Sequence, residues 1–186
     1  MKKIPKILFV SNTANFQKFN LPFMRDLRAK GWQVDYASPV DEPVTECDNF
    51  VNLDMPRSPL HILKILKAIK ILRRHLEKSG YDLIHCHTPV GSVIARLAAK
   101  KLWKQKKIKV IYTAHGFHFY KGAPLLNWLV YYPVEKKLSR CTDVLITINE
   151  EDYQLAKRKF HAEKILKIDG VGVDLEKFAP LEEKNE

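Results

Sequence analysis

YDLIHCHTPVGSVIARLAA, residues 81–99, decides how this chain folds. The run DLIHC (82–86) has the length and apolar composition of a buried strand. It stops at His87, Thr88 and Pro89, and from residue 91 to about 106 the apolar residues recur at helical spacing. Thr88 is read as an N-cap and Pro89 as a first-turn residue, so strand passes to helix within a short turn. Such a helix start turns unpaired amides outward and attracts phosphate. Thr-Pro is also an ordinary way to begin a helix with no ligand at all. The next strand candidate, KVIYT (109–113), must then pair parallel to the first, because a helix-length crossover returns the chain in the same direction.

The same unit recurs outward in both directions. Strand candidates are KILFV (6–10), QVDYA (33–37), FVNLD (50–54), DVLITI (143–148) and KILKID (164–169), and helix candidates lie near 20–30, 59–79, 91–106, 124–140 and 150–160. Only the second and third strands lack a helix between them, where Pro39 and Pro43 interrupt an irregular loop. Alternation of this kind predicts an α/β fold: a Rossmann-like, doubly wound, mostly parallel sheet of about seven strands with helices on both faces. A strand order of 3-2-1-4-5 places the first and fourth strands at the switch point, where open α/β sheets bind ligands.

The chain of 186 residues suits one domain. Lys and Arg number 32 against 21 Asp and Glu, giving a net charge of +11, and this leaves nucleic acid, an anionic membrane and phosphorylated substrates as partners to weigh. The lysines are dispersed across helices without a nucleic-acid reading motif, so no nucleic acid is expected. Cys47, Cys86 and Cys141 form no CxxC and read as buried thiols in a reducing cytoplasm. MKKIP is followed by an apolar run too short for a signal h-region or a membrane span, so no export signal is expected.

Polar residues collect at the carboxyl ends of the strand candidates: Asn12, Thr13 and Asn15 after the first, His87 and Thr88 after the fourth, His115, Gly116 and His118 after the fifth, Asn149 and Glu150 after the sixth. His115 is the strongest candidate, since Gly116 beside it permits close backbone approach. His85 reads as a buried strand residue satisfied by hydrogen bonds. The histidines at 85, 87, 115 and 118 also raise the alternative of a zinc-dependent hydrolase. Against it, Cys86 points away from its two neighbours and no carboxylate stands at ligand spacing. No metal is expected.

In this order, YDLIHCHTPVGSVIARLAA, VIYTAHGFHFYKGAP, VLITINEEDYQLA and IDGVGVDLEKF resemble the N-terminal domain of retaining GT-B glycosyltransferases of the family-4 type, most closely the branch that builds capsules, exopolysaccharides and related cell-surface glycans. The resemblance implies a hexosyltransferase of two lobes. Residues 1–178 would be the acceptor-side lobe and 179–186 the start of a linker or a frayed tail, with the donor-binding lobe absent. It further implies a nucleotide-sugar donor bound mainly by that other lobe, a lipid-linked or growing glycan acceptor, and no cofactor or metal. The histidine that reaches the donor sugar in the family matches His115. Its implied role is to hydrogen-bond that sugar and help organise an oxocarbenium-like transition state.

One departure concerns the loop after the first strand, where many relatives carry glycines and this chain has Asn12-Thr13-Ala14-Asn15-Phe16. Asn15 or Thr13 can replace some backbone contacts and Phe16 can line an acceptor pocket, or these residues simply make local turns. Lys121 and Tyr120 are placed near a lipid-linked diphosphate. In PLHILKILKAIKILRRHLEKSG, Ile62, Ile65, Leu66, Ile69, Leu72 and Leu76 share helical spacing while Lys64, Lys67, Lys70 and Arg74 fill other faces. That pattern fits either a sheet-covering helix with a solvated basic face or a helix lying on anionic lipid at the inner face of the cell membrane. PLLNWLVYYPVEKKLSR is expected to be mostly core.

Overall fold

The computed structural model describes residues 3–40 and 43–172. Its strands are β1 (Lys6–Val10), β2 (Gln33–Ser38), β3 (Asn49–Asn52), β4 (Leu83–His87), β5 (Lys109–Ala114), β6 (Val144–Thr147) and β7 (Lys164–Lys167). Its α-helices are α1 (Leu21–Ala29), α2 (Ile62–Ser79), α3 (Pro89–Lys104), α4 (Leu125–Ser139) and α5 (Glu150–Lys159). The seven strands form one sheet in the order β3-β2-β1-β4-β5-β6-β7. Every pairing in it is parallel. The expected domain limit at 178 and the tail at 179–186 lie outside the described residues.

Alternation along the strands sorts side chains into two unequal cores. Leu8, Val10, Ile84, Cys86, Val110 and Tyr112 face one side, where α2, α3, α4 and α5 cover them. Ile7, Phe9, Val34 and Tyr36 face the other, where Met24 and Leu27 of α1 pack on them. Each fully buried aliphatic side chain contributes about 1.5–3 kcal/mol, so the four-helix side carries most of the stability. At the amino ends of the strands, carboxylates absorb the loose backbone donors: Asp82 accepts from Lys6 N at 2.9 Å and Asp143 from Val110 N at 2.7 Å. The carboxyl ends run into the loops that build the site.

Three expectations are corrected. The loop after β1 contains a 3-10 helix, Ala14–Phe19, held from outside by Gln17, which donates to Pro43 O at 2.6 Å and accepts from Thr45 N at 2.7 Å. On α2 the buried stripe is Ala68, Ile69, Leu72 and Leu76, while Ile62 and Leu66 are exposed, because α2 packs chiefly against α3 and buries only that stripe. Residues 124–140 are not mostly core: Leu125, Leu126, Leu129, Val130 and Val134 are exposed, and α4 packs through Trp128, Tyr131, Tyr132 and Leu138.

Candidate functional site

The crevice starts at β1. Ser11 donates from Oγ to Thr13 O at 2.6 Å and shares a 2.8 Å hydrogen bond with the Tyr36 hydroxyl, turning the chain sharply off the strand. Asn12 is buried and donates from Nδ2 to Pro56 O at 3.4 Å, so its amide serves the wall. Asn15 is exposed on the 3-10 helix, and Phe16, half-buried, turns inward.

At the end of β4, Thr88 takes φ 62 and ψ 147, a rare conformation for a residue with a Cβ. Sequence reasoning made it an N-cap, but its hydroxyl caps nothing: Oγ1 donates to His87 O at 2.5 Å and accepts from Asn12 N at 3.3 Å. The left-handed turn aims the hydroxyl back at β1 and away from the first turn of α3. Gly91 makes this approach possible, since a Cβ there would stand 2.7 Å from Thr88 Oγ1 and 3.0 Å from Asn12 N. Pro89 occupies the first turn as expected.

Three histidines stand at the centre. His85 and His87 share a face of β4 with ring centroids 4.3 Å apart, and Thr113 of β5 holds His85 Nε2 at 2.9 Å. His87 is buried, stacked parallel to Phe9 at 6.3 Å, and its Nδ1 lies 3.2 Å from Nε2 of His115. His115 follows the last residue of β5 and remains half-buried. Phe16 meets its ring edge-on at 4.6 Å, and Phe19 lies 5.8 Å away. Loss of hydration pushes the His115 pKa down to about 4. Burial and the neighbouring His115 push His85 down to about 3, and burial with both neighbours holds His87 well below the ordinary imidazole range. The cluster is therefore neutral at pH 7. Among the described residues no group of three or more His, Cys, Asp or Glu is arranged to hold a metal ion.

Beyond His115 the chain turns through Gly116 at φ 121, and the following loop is clamped to α5. Phe117 N donates to Asp152 Oδ2 at 2.9 Å and Lys121 N to Glu151 Oε1 at 2.6 Å. Asn149 caps α5 by accepting from Asp152 N at 2.8 Å, and its Nδ2 donates to Asp152 Oδ2 at 2.8 Å. Glu150 is occupied on the surface by Lys167 at 3.3 Å and Gln154 at 2.7 Å. His118 is exposed, its ring 4.7 Å from Tyr131 and its carbonyl accepting from Asn127.

The expected residues thus fall into three groups. Phe16, His87 and His115 meet in the histidine cluster, with Thr88 and Gly116 next to the two histidines in sequence and Asn12 tied to Thr88; Thr13 and Asn15 lie in the loop after β1; and His118, Lys121, Asn149 and Glu150 belong to the outer loop and its anchor. Sequence reading missed Asp152, whose carboxylate organises that loop. The signal present was Asn149 three residues before an acidic side chain at a helix start.

Residues 6–149 match the glycosyl transferase 4-like family. The chain is 44% identical over 178 residues to a Bacillus subtilis (strain 168) protein named "Putative glycosyltransferase EpsD", covering 95% of this chain and 46% of that one. It is 32% identical over 123 residues to the UDP-Gal:alpha-D-GlcNAc-diphosphoundecaprenol alpha-1,3-galactosyltransferase of Escherichia coli, covering 65% and 31%. It therefore spans less than half the length of these curated relatives. Among solved structures it resembles sucrose-phosphate synthase from Thermosynechococcus elongatus, with a TM-score of 0.64 at 16% identity over 96% of this chain and 51% of that one. It also resembles Acinetobacter baumannii MurG, with a TM-score of 0.58 at 16% identity over 89% and 45%.

Proposed function

Since the chain belongs to the glycosyl transferase 4-like family, we propose that it is the acceptor-side lobe of a retaining enzyme that moves a sugar from a nucleotide-sugar to a lipid-linked or growing cell-surface glycan. The observation that carries this reading is His115. It is a neutral imidazole at the carboxyl rim of a parallel sheet, held through Nε2, with Nδ1 unpartnered among the described residues. A preorganised neutral group of this kind hydrogen-bonds a sugar without demanding a counter-charge, and its effect grows where a second lobe excludes water. Phe16 and Phe19 give the sugar an apolar wall, and Asn12, Thr13, Asn15 and Thr88 line the β1 side. The nucleotide-sugar is a substrate, and no metal or cofactor enters the reaction proposed.

A lipid-linked acceptor is supported by the side of the molecule next to the crevice. An apolar groove of about 220 Å³ runs between α2 and α4 above the start of α3, lined by Ile62, Ile65, Val90, Val93, Val130 and Val134. Leu63 of α2 is 84% exposed and Leu125 of α4 73% exposed. Lys64, Lys67 and Lys70 lie exposed on the same helix. No helix among the described residues is long and apolar enough to cross a membrane. This face fits a protein resting on the anionic inner surface of the cell membrane, where the lipid-linked acceptor also resides. The acceptor in the name of the Escherichia coli relative is of that class.

The test is His115→Ala in the polypeptide joining this chain to a donor-binding lobe. Turnover is expected to fall about 100- to 1,000-fold with the unfolding midpoint nearly unchanged. The 186-residue chain alone is expected to fold and transfer nothing. Near-normal turnover in the variant would remove His115 from the reaction.

A further inference from the structure

Among the described residues, His87 Nε2 is the single buried side-chain nitrogen or oxygen without a hydrogen-bond partner. The residue is 2% exposed, so water does not serve it from outside. Its other nitrogen, Nδ1, lies 3.2 Å from His115 Nε2. A neutral imidazole has one proton for two nitrogens, so this contact exists in two forms. In one, His115 donates from Nε2 and His87 carries its own proton on Nε2, an N–H sealed in the interior with nothing to receive it. In the other, His87 donates from Nδ1 and only a lone pair is left in the interior. A buried N–H without an acceptor is the rarer and costlier of the two, which selects the second form.

The choice propagates along the pair. When His87 Nδ1–H donates, His115 Nε2 must be the bare acceptor, and the single proton of His115 is left on Nδ1, the nitrogen that has no protein partner. We propose that His87 is a positioning residue that fixes the tautomer of His115, so that the crevice meets an N–H donor at Nδ1. The matching substrate group is an oxygen acceptor, a hydroxyl or ring oxygen of the transferred sugar, and this part rests on the reading of His115 given under Proposed function. His85 does not compete for the bond. Its Nε2 is held by Thr113, and it meets His87 only ring to ring. Phe9 and Phe16 hold the His87 ring in the plane that the contact requires.

The tautomer is read directly from the imidazole nitrogen shifts of the ¹⁵N-labelled chain. Protonated Nδ1 and bare Nε2 are expected on both His87 and His115, and a protonated Nε2 on His115 overturns the assignment. Two variants separate positioning from packing. His87→Asn keeps an N–H near the Nδ1 position and is expected to preserve the His115 tautomer. His87→Phe fills the same space, donates nothing, and is expected to release His115 into a mixture. In the complete enzyme, turnover then drops about tenfold for Phe and recovers for Asn, with KM for the donor unchanged. A folded Phe variant that retains a pure Nδ1–H tautomer refutes the positioning role. If the Phe variant fails to fold, the unsubstituted spectrum still decides the tautomer. Release of the tautomer without loss of turnover refutes the sugar contact of His115 and leaves the tautomer assignment standing.

Discussion

An imidazole that stays neutral in acid makes the histidine cluster a weak point at low pH. His115 and His85, near 6.5 in an unfolded chain, are lowered to about 4 and about 3 by burial, so the unfolded state binds more protons than the native state between those values. The stability they contribute is fully present above about 6.5 and is lost as pH falls toward 4. Urea midpoints measured from pH 7.5 to 4 are expected to fall steadily below 6.5, and His115→Gln is expected to flatten that decline. At this scale the sequence was informative in part. The HxH spacing at 85 and 87 told which histidines share a face, and Gly116 marked His115 as a residue at a close turn. The contact between His87 and His115 was not legible, because it depends on β4 and β5 pairing with His87 opposite Thr113, and a register is not written in either strand alone.

Between elements, α3 is the part on which the site depends. Its first turn lies against β1 through Gly91, and any side chain there would press on Thr88 and the Asn12 amide. Gly91→Ala is expected to destabilise the chain by about 1–3 kcal/mol and to shift the Asn12 amide resonance, as overpacking of a tight contact does. Farther along, Arg96 is 1% exposed and pairs with Glu135 of α4 at 2.8 Å, while Tyr112 Oη donates to the same carboxylate at 3.3 Å. Glu135→Ala strands a guanidinium in the interior and is expected to cost about 3–5 kcal/mol by chemical denaturation. The joint replacement Arg96→Met, Glu135→Leu is expected to regain most of it. The strands and α-helices were readable because apolar period and length specify them. The 3-10 helix at 14–19 was not, since Gln17 holds it through residues 43 and 45, a contact distant in sequence. The exposed leucines of α4 were misread as core because composition alone does not tell which surface an apolar helix meets.

At the scale of the whole molecule, exposed leucines stand on α2 and α4 and exposed lysines on α2, and the apolar groove between these helices reaches the start of α3 at Pro89 and Val90, next in sequence to Thr88. Sedimentation with vesicles at low salt is expected to show binding to anionic and little binding to neutral lipid, weakening as ionic strength rises. Leu125→Glu with Leu126→Glu is expected to abolish that binding while leaving the unfolding midpoint in place, because both side chains are exposed. Equal recovery with neutral and anionic vesicles would argue against the membrane surface and leave His115 untouched. The fold class and strand order were legible here, since strand and helix alternation constrains topology strongly.

The order of the strands also bears on how the protein is made. β1 leaves the ribosome before the other six strands described, and β2 soon covers one of its edges, but its other partner begins only at Leu83. Until then the nascent chain carries a bare strand edge, and α2 emerges with its apolar stripe facing no finished surface. Synthesis of the first half therefore leaves the centre of the sheet open until β4 arrives to pair with β1.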